Sequence, residues 1–137
     1  MDRKLELLKT VPLFADLDER SLDAVGVLAR EIEVPEGHVL MLEGEPGDAF
    51  YVIVEGTIRV ERASGVAKSM TAGGFLGEIA LLEGGLRTAT ATAESDCRLL
   101  VIHRHEFDRL MSALPHIERR IRTASARRPH AHGGDTV

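Results

Sequence analysis

The sequence predicts a mainly β-protein with flanking helices, and three features of the 137-residue chain support this prediction. Short runs rich in β-branched and other strand-forming residues follow one another from residue 31 to residue 102, separated by turn residues. An apolar stripe with helical spacing precedes these runs, and two more follow them. Short strands at close, regular spacing favour an all-β sandwich or a jelly roll over βαβ units.

The first part of the chain, residues 1–30, is expected to be helical. Leu5 and Leu8 indicate a short helical arm that ends in a turn. Asp18 is a suitable N-cap for a second helix that runs to about Arg30. The second helix carries an apolar stripe that should pack against the core: Leu22, Val25, Leu28 and Ala29.

The apolar period changes from helical to alternating at about residue 31. Turn residues such as Pro35-Glu36-Gly37 divide the β-rich runs, and a hairpin is expected around Ser64-Gly65. The expected strands are 32–34, 39–42, 50–54, 57–60 and 97–102.

The segment from Gly73 to Ala93 is unlike an ordinary surface loop, because Glu78 and Arg87 stand among small and apolar residues. Its glycines permit close approach of the backbone to another group, or a positive φ. A helical turn over 78–82 would offer free N–H groups to an anion, and Arg87 adds a planar, charged fork. One interpretation is a phosphate cradle in which Glu78 accepts hydrogen bonds from a neutral part of the ligand. A buried Glu–Arg salt bridge fits the same residues, so both interpretations stay open.

Residues on either side of this segment are candidates for a cleft wall. From Thr88 to Ala93 threonine and alanine alternate, which predicts a strand with one narrow face against which a ligand could lie. Met70 and Leu76 are candidates for the wall beside the ligand and are equally suitable as core residues.

The run from Phe75 to Leu82, followed by Arg87-Thr88-Ala89, resembles the phosphate-binding cassette of the cyclic nucleotide-binding domains. These are the sensor modules of catabolite activator proteins, cyclic nucleotide-dependent kinases and gated channels. The phrase from Gly44 to Val60 resembles the first half of the family's barrel. The resemblance implies a β-jelly-roll barrel (a double-stranded β-helix) with an N-terminal helical bundle. It also implies a C-terminal helix that lids the base of the ligand and carries the signal onward.

The resemblance assigns roles to the residues of the cassette. It implies that Arg87 pairs with the cyclic phosphate and that Glu78 accepts the ribose 2′-hydroxyl. Close backbone contacts are implied for Gly77, Ile79, Ala80, Thr88 and Ala89. Leu86 departs from the pattern, since many members place a proline before the arginine. The expected ligand is cAMP, and cGMP stays open because a hydroxyl at the position of Thr88 is associated with guanine contact in the family.

Composition excludes several other classes of function. The formal net charge of −5 argues against general nucleic-acid affinity, which depends on excess Lys and Arg. A single cysteine, Cys97, excludes an intramolecular disulfide and a cysteine-cluster metal site. No apolar run approaches the ~20 residues of a membrane span, and Met1–Lys9 lacks the apolar core of a signal peptide. A cytoplasmic protein with no membrane contact is expected.

A histidine pair raises a separate possibility, because jelly rolls include the metal-binding cupins. His103 and His105 stand two apart, but Glu106 follows directly, where a helix with an apolar stripe begins. A solvated helix start is therefore the preferred interpretation. His130 and His132 are likewise expected to face solvent.

The last organised stretch, residues 116–128, carries a sparse apolar stripe at Ile117, Ile121 and Ala124. Five arginines and one glutamate give it a local charge of +4, so it could contact nucleic acid, a membrane surface or an acidic partner. Docking of its isoleucine face on the acidic body is preferred.

We expect a cyclic nucleotide-binding domain at 1–128, made of N-terminal helices at 1–30, a β-barrel at 31–102 and C-terminal helices at 103–128. A disordered tail is expected at 129–137, and no room is expected for a DNA-binding domain.

Three hypotheses about function follow. The first is a stand-alone cyclic-nucleotide sensor that signals through its C-terminal helix to a protein effector in trans, with a possible homodimer through that helix. The second is an interaction module that keeps the fold without a ligand. The third, favoured least, is a cupin-like metal-binding protein that uses His103 and His105. No nucleophile–base pair is apparent, so the chain is predicted to be a non-enzyme without a cofactor.

Overall fold

A computed structural model describes residues 3–127 of the chain. Residues 1–2 and 128–137, which include the predicted tail at 129–137, lie outside the described residues. The helices are α1 (Arg3–Lys9), α2 (Glu19–Leu28), α3 (Glu78–Glu83), α4 (Arg104–Ala113) and α5 (Pro115–Arg127). The strands are β1 (Arg30–Val34), β2 (Val39–Met41), β3 (Ala49–Glu55), β4 (Ile58–Glu61), β5 (Ala67–Met70), β6 (Phe75–Leu76), β7 (Thr90–Ala93) and β8 (Cys97–His103).

The strands form two four-stranded antiparallel sheets. The first has the order β1-β8-β3-β6 and the second has the order β2-β7-β4-β5. Chain neighbours such as β1 and β2 lie in different sheets, as they do in a jelly roll. The predicted fold class, mainly β with flanking helices, is therefore confirmed.

Alternation along β3 divides the hydrophobic core into two layers. Phe50 and Val52 point to one face of the first sheet, where they pack with residues of the helices. Ile53 points to the other face and packs between the two sheets, with Leu99 of β8 and Ile58 of β4. Each layer is fully buried at its centre, so the first sheet is covered on both faces.

The N-terminal and C-terminal helices share the outer face of the first sheet. Asp18 caps α2 as predicted, because its Oδ1 accepts a hydrogen bond of 2.8 Å from the backbone N–H of Ser21. On the same side, the ring of Phe107 in α4 lies 5.2 Å from the ring of Phe50. The predicted helical bundle is thus joined to α4 and α5 through one apolar layer.

The predicted threonine–alanine strand is shorter than expected. β7 begins at Thr90, because its neighbour β4 ends at Glu61, which pairs with Thr90 and leaves no further ladder position. The predicted alternation holds, with Ala91 and Ala93 buried and the threonines half-buried. Thr88 and Ala89 therefore precede the strand and lie next to the cleft described below.

Candidate functional site

A narrow cleft lies between the α3 turn and the start of β7. Its empty volume, including the open mouth, is about 330 Å³. The structure brings all nine predicted site residues into the lining, Met70, Leu76, Gly77, Glu78, Ile79, Ala80, Arg87, Thr88 and Ala89. Met41 and Val60 complete the wall with apolar side chains.

Gly77 turns the chain from β6 into α3 and has a left-handed conformation with φ of +94°. A Cβ at this position would lie 2.6 Å from the carbonyl oxygen of Ala49 and 2.8 Å from Nη1 of Arg87. Only glycine fits both the φ angle and this space. The turn therefore presents its backbone directly to the guanidinium.

Arg87 is positioned first by its backbone. Its N–H donates to the carbonyl of Glu45 at 2.8 Å, and its carbonyl accepts from the N–H of Gly44 at 2.9 Å. The turn at 44–48 thus anchors the backbone of the cassette arginine. Leu86, the residue that departs from the family pattern, is exposed beside this anchor and forms a bridge with Pro46.

The guanidinium of Arg87 is held by two carbonyl groups. Nη1 donates to Gly77 at 3.0 Å and Nη2 donates to Ala49 at 2.8 Å. Residue Gly47 forms the floor below it, since a Cβ there would lie 2.6 Å from Nε. Two of the five N–H donors are used in these bonds, which leaves three for another acceptor.

The charge of Arg87 has no carboxylate partner in the part of the chain from 3 to 127. The side chain is only 6% exposed, and burial lowers the pKa of the guanidinium, an effect that Tyr51 and Asp48 partly oppose. The guanidinium nevertheless stays protonated at neutral pH. The ring of Tyr51 lies 6.0 Å from Cζ, at the limit of a cation–π contact. A desolvated cation of this kind favours an anion that can reach it.

Glu78 also belongs to the lining and is completely buried, with an exposed fraction of 0%. It is the first residue of α3. Its Oε2 accepts a hydrogen bond of 2.9 Å from the hydroxyl of Ser125, which lies near the end of α5. The cassette glutamate is therefore covered by the C-terminal helix.

Comparison with known proteins decides the family. The family model for the cyclic nucleotide-binding domain matches residues 31–113. The chain belongs to the cyclic nucleotide-binding domain family. The resemblance predicted from the cassette residues is therefore confirmed.

Several relatives carry such a domain within a longer chain. A cyclic nucleotide-gated potassium channel of Mesorhizobium japonicum is 36% identical over 115 residues, which cover 84% of this chain and 32% of the channel. A cAMP-dependent protein kinase regulatory subunit of Aspergillus niger is 32% identical over 82% of this chain and 28% of its own. The cyclic nucleotide-binding domain described here thus spans less than a third of the length of each of these two relatives.

Solved structures agree with this family and fold. PKAR CBD2 bound to Sp-2Cl-cAMPS has a TM-score of 0.75 and 29% identity, covering 84% of this chain and 79% of that chain. The catabolite activator protein of Thermus thermophilus has a TM-score of 0.75 and 28% identity, covering 85% of this chain and 57% of that chain.

The C-terminal helix of this cyclic nucleotide-binding domain is docked on the body, as preferred from the sequence. Ile117 and Ile121 are completely buried. Arg120 forms two hydrogen bonds of 2.7 Å to the carboxylate of Asp16 and one of 3.0 Å to the carbonyl of Leu13. The first half of α5 is thus anchored to the segment between α1 and α2, and its second half reaches Glu78.

The histidine pair does not lie in the cleft. His103 is the N-cap position of α4 without a side-chain capping bond, and both His103 and His105 are exposed. Between residues 3 and 127 no group of three or more potential metal ligands comes together. Nothing in that part of the chain supports the cupin-like alternative, and His130 and His132 lie outside the described residues. In the same part of the chain, no helix is long and apolar enough to cross a membrane.

Besides Met41 and Val60 of the wall, three residues near the cassette were not predicted as parts of the site. Gly47 supports the guanidinium, Ala49 accepts one of its hydrogen bonds and Ser125 bonds Glu78. One feature of the sequence could have indicated that Ser125 faces the protein, since it continues the helical stripe of Ile117 and Ile121 at intervals of four residues. No such feature indicated the backbone carbonyl of Ala49, because a carbonyl acceptor carries no residue signature.

Proposed function

We propose that this cyclic nucleotide-binding domain binds a cyclic nucleotide, cAMP first, in the cleft between Glu78 and Arg87. The observation that carries the proposal is the guanidinium of Arg87, which lines the cleft without a carboxylate partner among residues 3–127. Its three remaining N–H donors suit a phosphate diester, because charge-assisted bonds to phosphate oxygens are about twice as strong as neutral ones. Glu78 would accept the ribose 2′-hydroxyl, as the family resemblance implies.

The remaining cassette residues would support the ligand through shape and backbone. Gly77, Ile79 and Ala80 lie at the turn into α3, where the first N–H groups lack partners within the helix. Thr88 and Ala89 line the side that leads into β7, and Met70 and Leu76 form part of the apolar wall. We keep cGMP as a second candidate ligand, because the family resemblance associates a hydroxyl at the position of Thr88 with guanine contact.

We propose that ligand binding rearranges α5 and that a separate protein effector recognises this rearrangement in trans. This rests on the contact between Ser125 and Glu78, which connects the proposed ligand site directly to the C-terminal helix. A sensor domain with boundaries 1–128, no catalytic role and a cytoplasmic location stays our prediction. A homodimer through α5 would have to use the polar face of the helix, because Ile117 and Ile121 are already buried within the protomer.

Calorimetric titration with cAMP and with cGMP tests the proposed function. We expect saturable binding to the wild type and a loss of about 30-fold or more in Arg87→Ala, because removing one partner of a desolvated charge pair costs about 2 kcal/mol or more. Arg59→Ala is the matched control, since Arg59 lies on an exposed part of β4 and should leave the affinity unchanged. Circular dichroism on each variant confirms that the fold is retained. Absence of binding at millimolar nucleotide, or equal affinity of wild type and Arg87→Ala, would contradict the proposal.

One observation favours the second candidate, an interaction module without a ligand. Glu78 is completely buried and already bonded to Ser125, so its carboxylate is not open to a ligand in this arrangement. The same titration separates the two candidates, because the module would bind neither nucleotide.

A further inference from the structure

Exposed apolar side chains collect at one place on the surface. Among residues 3–127, the large apolar side chains that are exposed are Val27, Val39, Leu42 and Leu86. Val39 and Leu42 line one groove, and Leu86 lies at its border, because its backbone forms a bridge with the groove residue Pro46. Single exposed apolar residues are normal on a globular protein, whereas several that adjoin one concave surface mark an interaction site.

This groove, called the β2 groove below, follows the backbone of strand β2. Its empty volume, including the open mouth, is about 630 Å³. Residues 39–42 line it, together with Glu45, Pro46, Asp48, Tyr51 and Arg87. Successive side chains of a strand point to opposite faces, so a groove that contacts four consecutive residues borders the edge of the strand.

The edge of β2 is available for pairing. β2 is the terminal strand in the order β2-β7-β4-β5, so one side of it has no neighbouring strand among residues 3–127. The carbonyl of Leu40 faces the groove, because it accepts a hydrogen bond of 3.3 Å from the hydroxyl of Tyr51, which also lines the groove. That bond is longer than the usual ~2.8 Å for a hydroxyl donor, and a carbonyl oxygen has a second lone pair for another donor.

The charge of this surface favours a basic partner. From residue 31 to residue 48 the sequence has six acidic residues and no lysine or arginine. The carboxylates of Glu43, Glu45 and Asp48 form no ion pair with a residue between 3 and 127. In the groove lining, Glu45 and Asp48 outnumber the cation of Arg87, which is almost completely buried. Complementary charge of this kind steers and orients a partner.

The β2 groove is distinct from the nucleotide cleft. The two linings share Met41 and Arg87 and no other residue. The guanidinium of Arg87 donates to the carbonyls of Gly77 and Ala49, away from the carboxylates of the groove. The groove therefore suits a ligand of opposite charge to a phosphate diester.

We propose that the β2 groove binds an extended, basic segment of a protein partner, which adds to the edge of β2 as a further strand. Strand addition supplies backbone hydrogen bonds and places alternate side chains in contact with the host. Apolar side chains of the segment cover Leu42 and Leu86, and its basic side chains pair with Glu45 and Asp48. The inference goes beyond the proposed function and does not depend on nucleotide binding.

A short, fluorescently labelled peptide in which arginine and valine alternate is the probe. Anisotropy titration near physiological salt, without nucleotide, should show saturable binding to the wild type and none for a peptide with glutamate in place of arginine. Leu42→Ser should weaken binding about fivefold, because an exposed leucine loses the apolar area that the peptide would cover. Val27→Ser is the matched control, since it removes an exposed apolar side chain from α2, outside the groove.

A second pair of variants tests the charge. Glu45→Gln should weaken binding about threefold, the size expected for one exposed ion pair. Its side chain is exposed and the backbone contact of Glu45 with Arg87 is kept. Glu19→Gln is the matched control, because Glu19 is exposed on α2.

Backbone methylation of the peptide tests strand addition. The N–H groups of an extended chain point alternately to its two sides, so methylation of every valine amide or of every arginine amide removes the donors of one side. One of the two isomers should bind like the parent peptide. The other should bind about tenfold more weakly or less, because it cannot donate to β2.

Each outcome decides for or against the inference. Absence of peptide binding overturns it, as does equal weakening by Leu42→Ser and Val27→Ser, or by Glu45→Gln and Glu19→Gln, which would indicate unspecific attraction. Strand addition is wrong if both methylated isomers bind alike or neither binds. A wild-type dimer in sedimentation that Leu42→Ser abolishes would assign the groove to a second copy and also overturn the proposal. The proposed function is tested by nucleotide titration alone, so either can fail without the other.

Discussion

Replacing Gly47 by alanine tests whether the guanidinium of Arg87 is held where the structure places it. A Cβ on Gly47 would lie 2.6 Å from Nε, 2.7 Å from Cζ and 2.8 Å from Cδ of Arg87. Since comfortable contacts between such atoms begin near 3.5 Å, the head of the arginine must move by about 1 Å. Gly47 is not one of the glycines with positive φ, so alanine brings no backbone strain of its own.

The magnitude follows from the bonds that this movement breaks. A shift of about 1 Å takes the bonds of 2.8 Å to Ala49 and 3.0 Å to Gly77 out of hydrogen-bond range. Overpacking of a well-filled site costs about 1–3 kcal/mol, which corresponds to a fall in melting temperature of roughly 3–10 °C for a domain of this size. The affinity for cAMP should fall about tenfold, because the phosphate would lose a correctly placed charged donor.

Thermal unfolding followed by circular dichroism, together with calorimetric titration, measures both effects. Gly85→Ala is the matched control, since no atom lies within 4 Å of a Cβ at that position and its φ is not positive. The decisive comparison is a double-mutant cycle with Arg87→Ala, in which the cost of Gly47→Ala should disappear because the clashing side chain is gone. If Gly47→Ala costs the same in both backgrounds, or nothing in either, the guanidinium is not packed over Gly47 and the reasoning is wrong.

Three other predictions test the supports of the site. Asp18→Ala should lower the free energy of unfolding by about 1 kcal/mol in urea titration, because the α2 cap is lost; an unchanged midpoint would contradict the cap. Gly77→Ala should destabilise the fold and weaken cAMP binding together, since φ of +94° and a carbonyl oxygen 2.6 Å away both exclude a Cβ. The hydrogen bond from Arg120 lowers the pKa of Asp16, so this pair stabilises the fold above the unfolded pKa of about 3.9 and is lost as the pH falls through the folded pKa. Melting curves of Asp16→Asn should therefore differ from wild type at neutral pH and converge with it in acid.

The fold could be predicted from the sequence because its signals are local. Turn residues at 35–37 and 44–48 separate runs that became β1, β2 and β3 with shifts of only a few residues. Asp18 stands at the position where a helix cap is needed, and its Oδ1 makes the capping bond. Signals of this kind depend on neighbours along the chain, so they can be recognised without knowledge of the tertiary structure.

Only those site residues that lie within one continuous segment of the sequence could be predicted. The residues from 76 to 89 lie on one continuous stretch, and the structure places the predicted ones in one cleft. The partners of Arg87 come from elsewhere, since Ala49 is 38 residues away and acts through its backbone. The start of the predicted strand was placed at Thr88, two residues before β7 begins, for a similar reason, because the length of β7 is set by where β4 ends.

The two charged groups of the site are prepared for a ligand to different degrees. Arg87 is fixed by carbonyls on two sides and by Gly47 below, so a phosphate can bind it without displacing either carbonyl. Glu78 is covered and bonded to Ser125, so a ribose can reach it only after a movement. Binding free energy would thus be gained at a preorganised arginine and partly used to open the glutamate. A domain in which both groups were open would bind the nucleotide more tightly, and binding would not require a movement of its C-terminal helix.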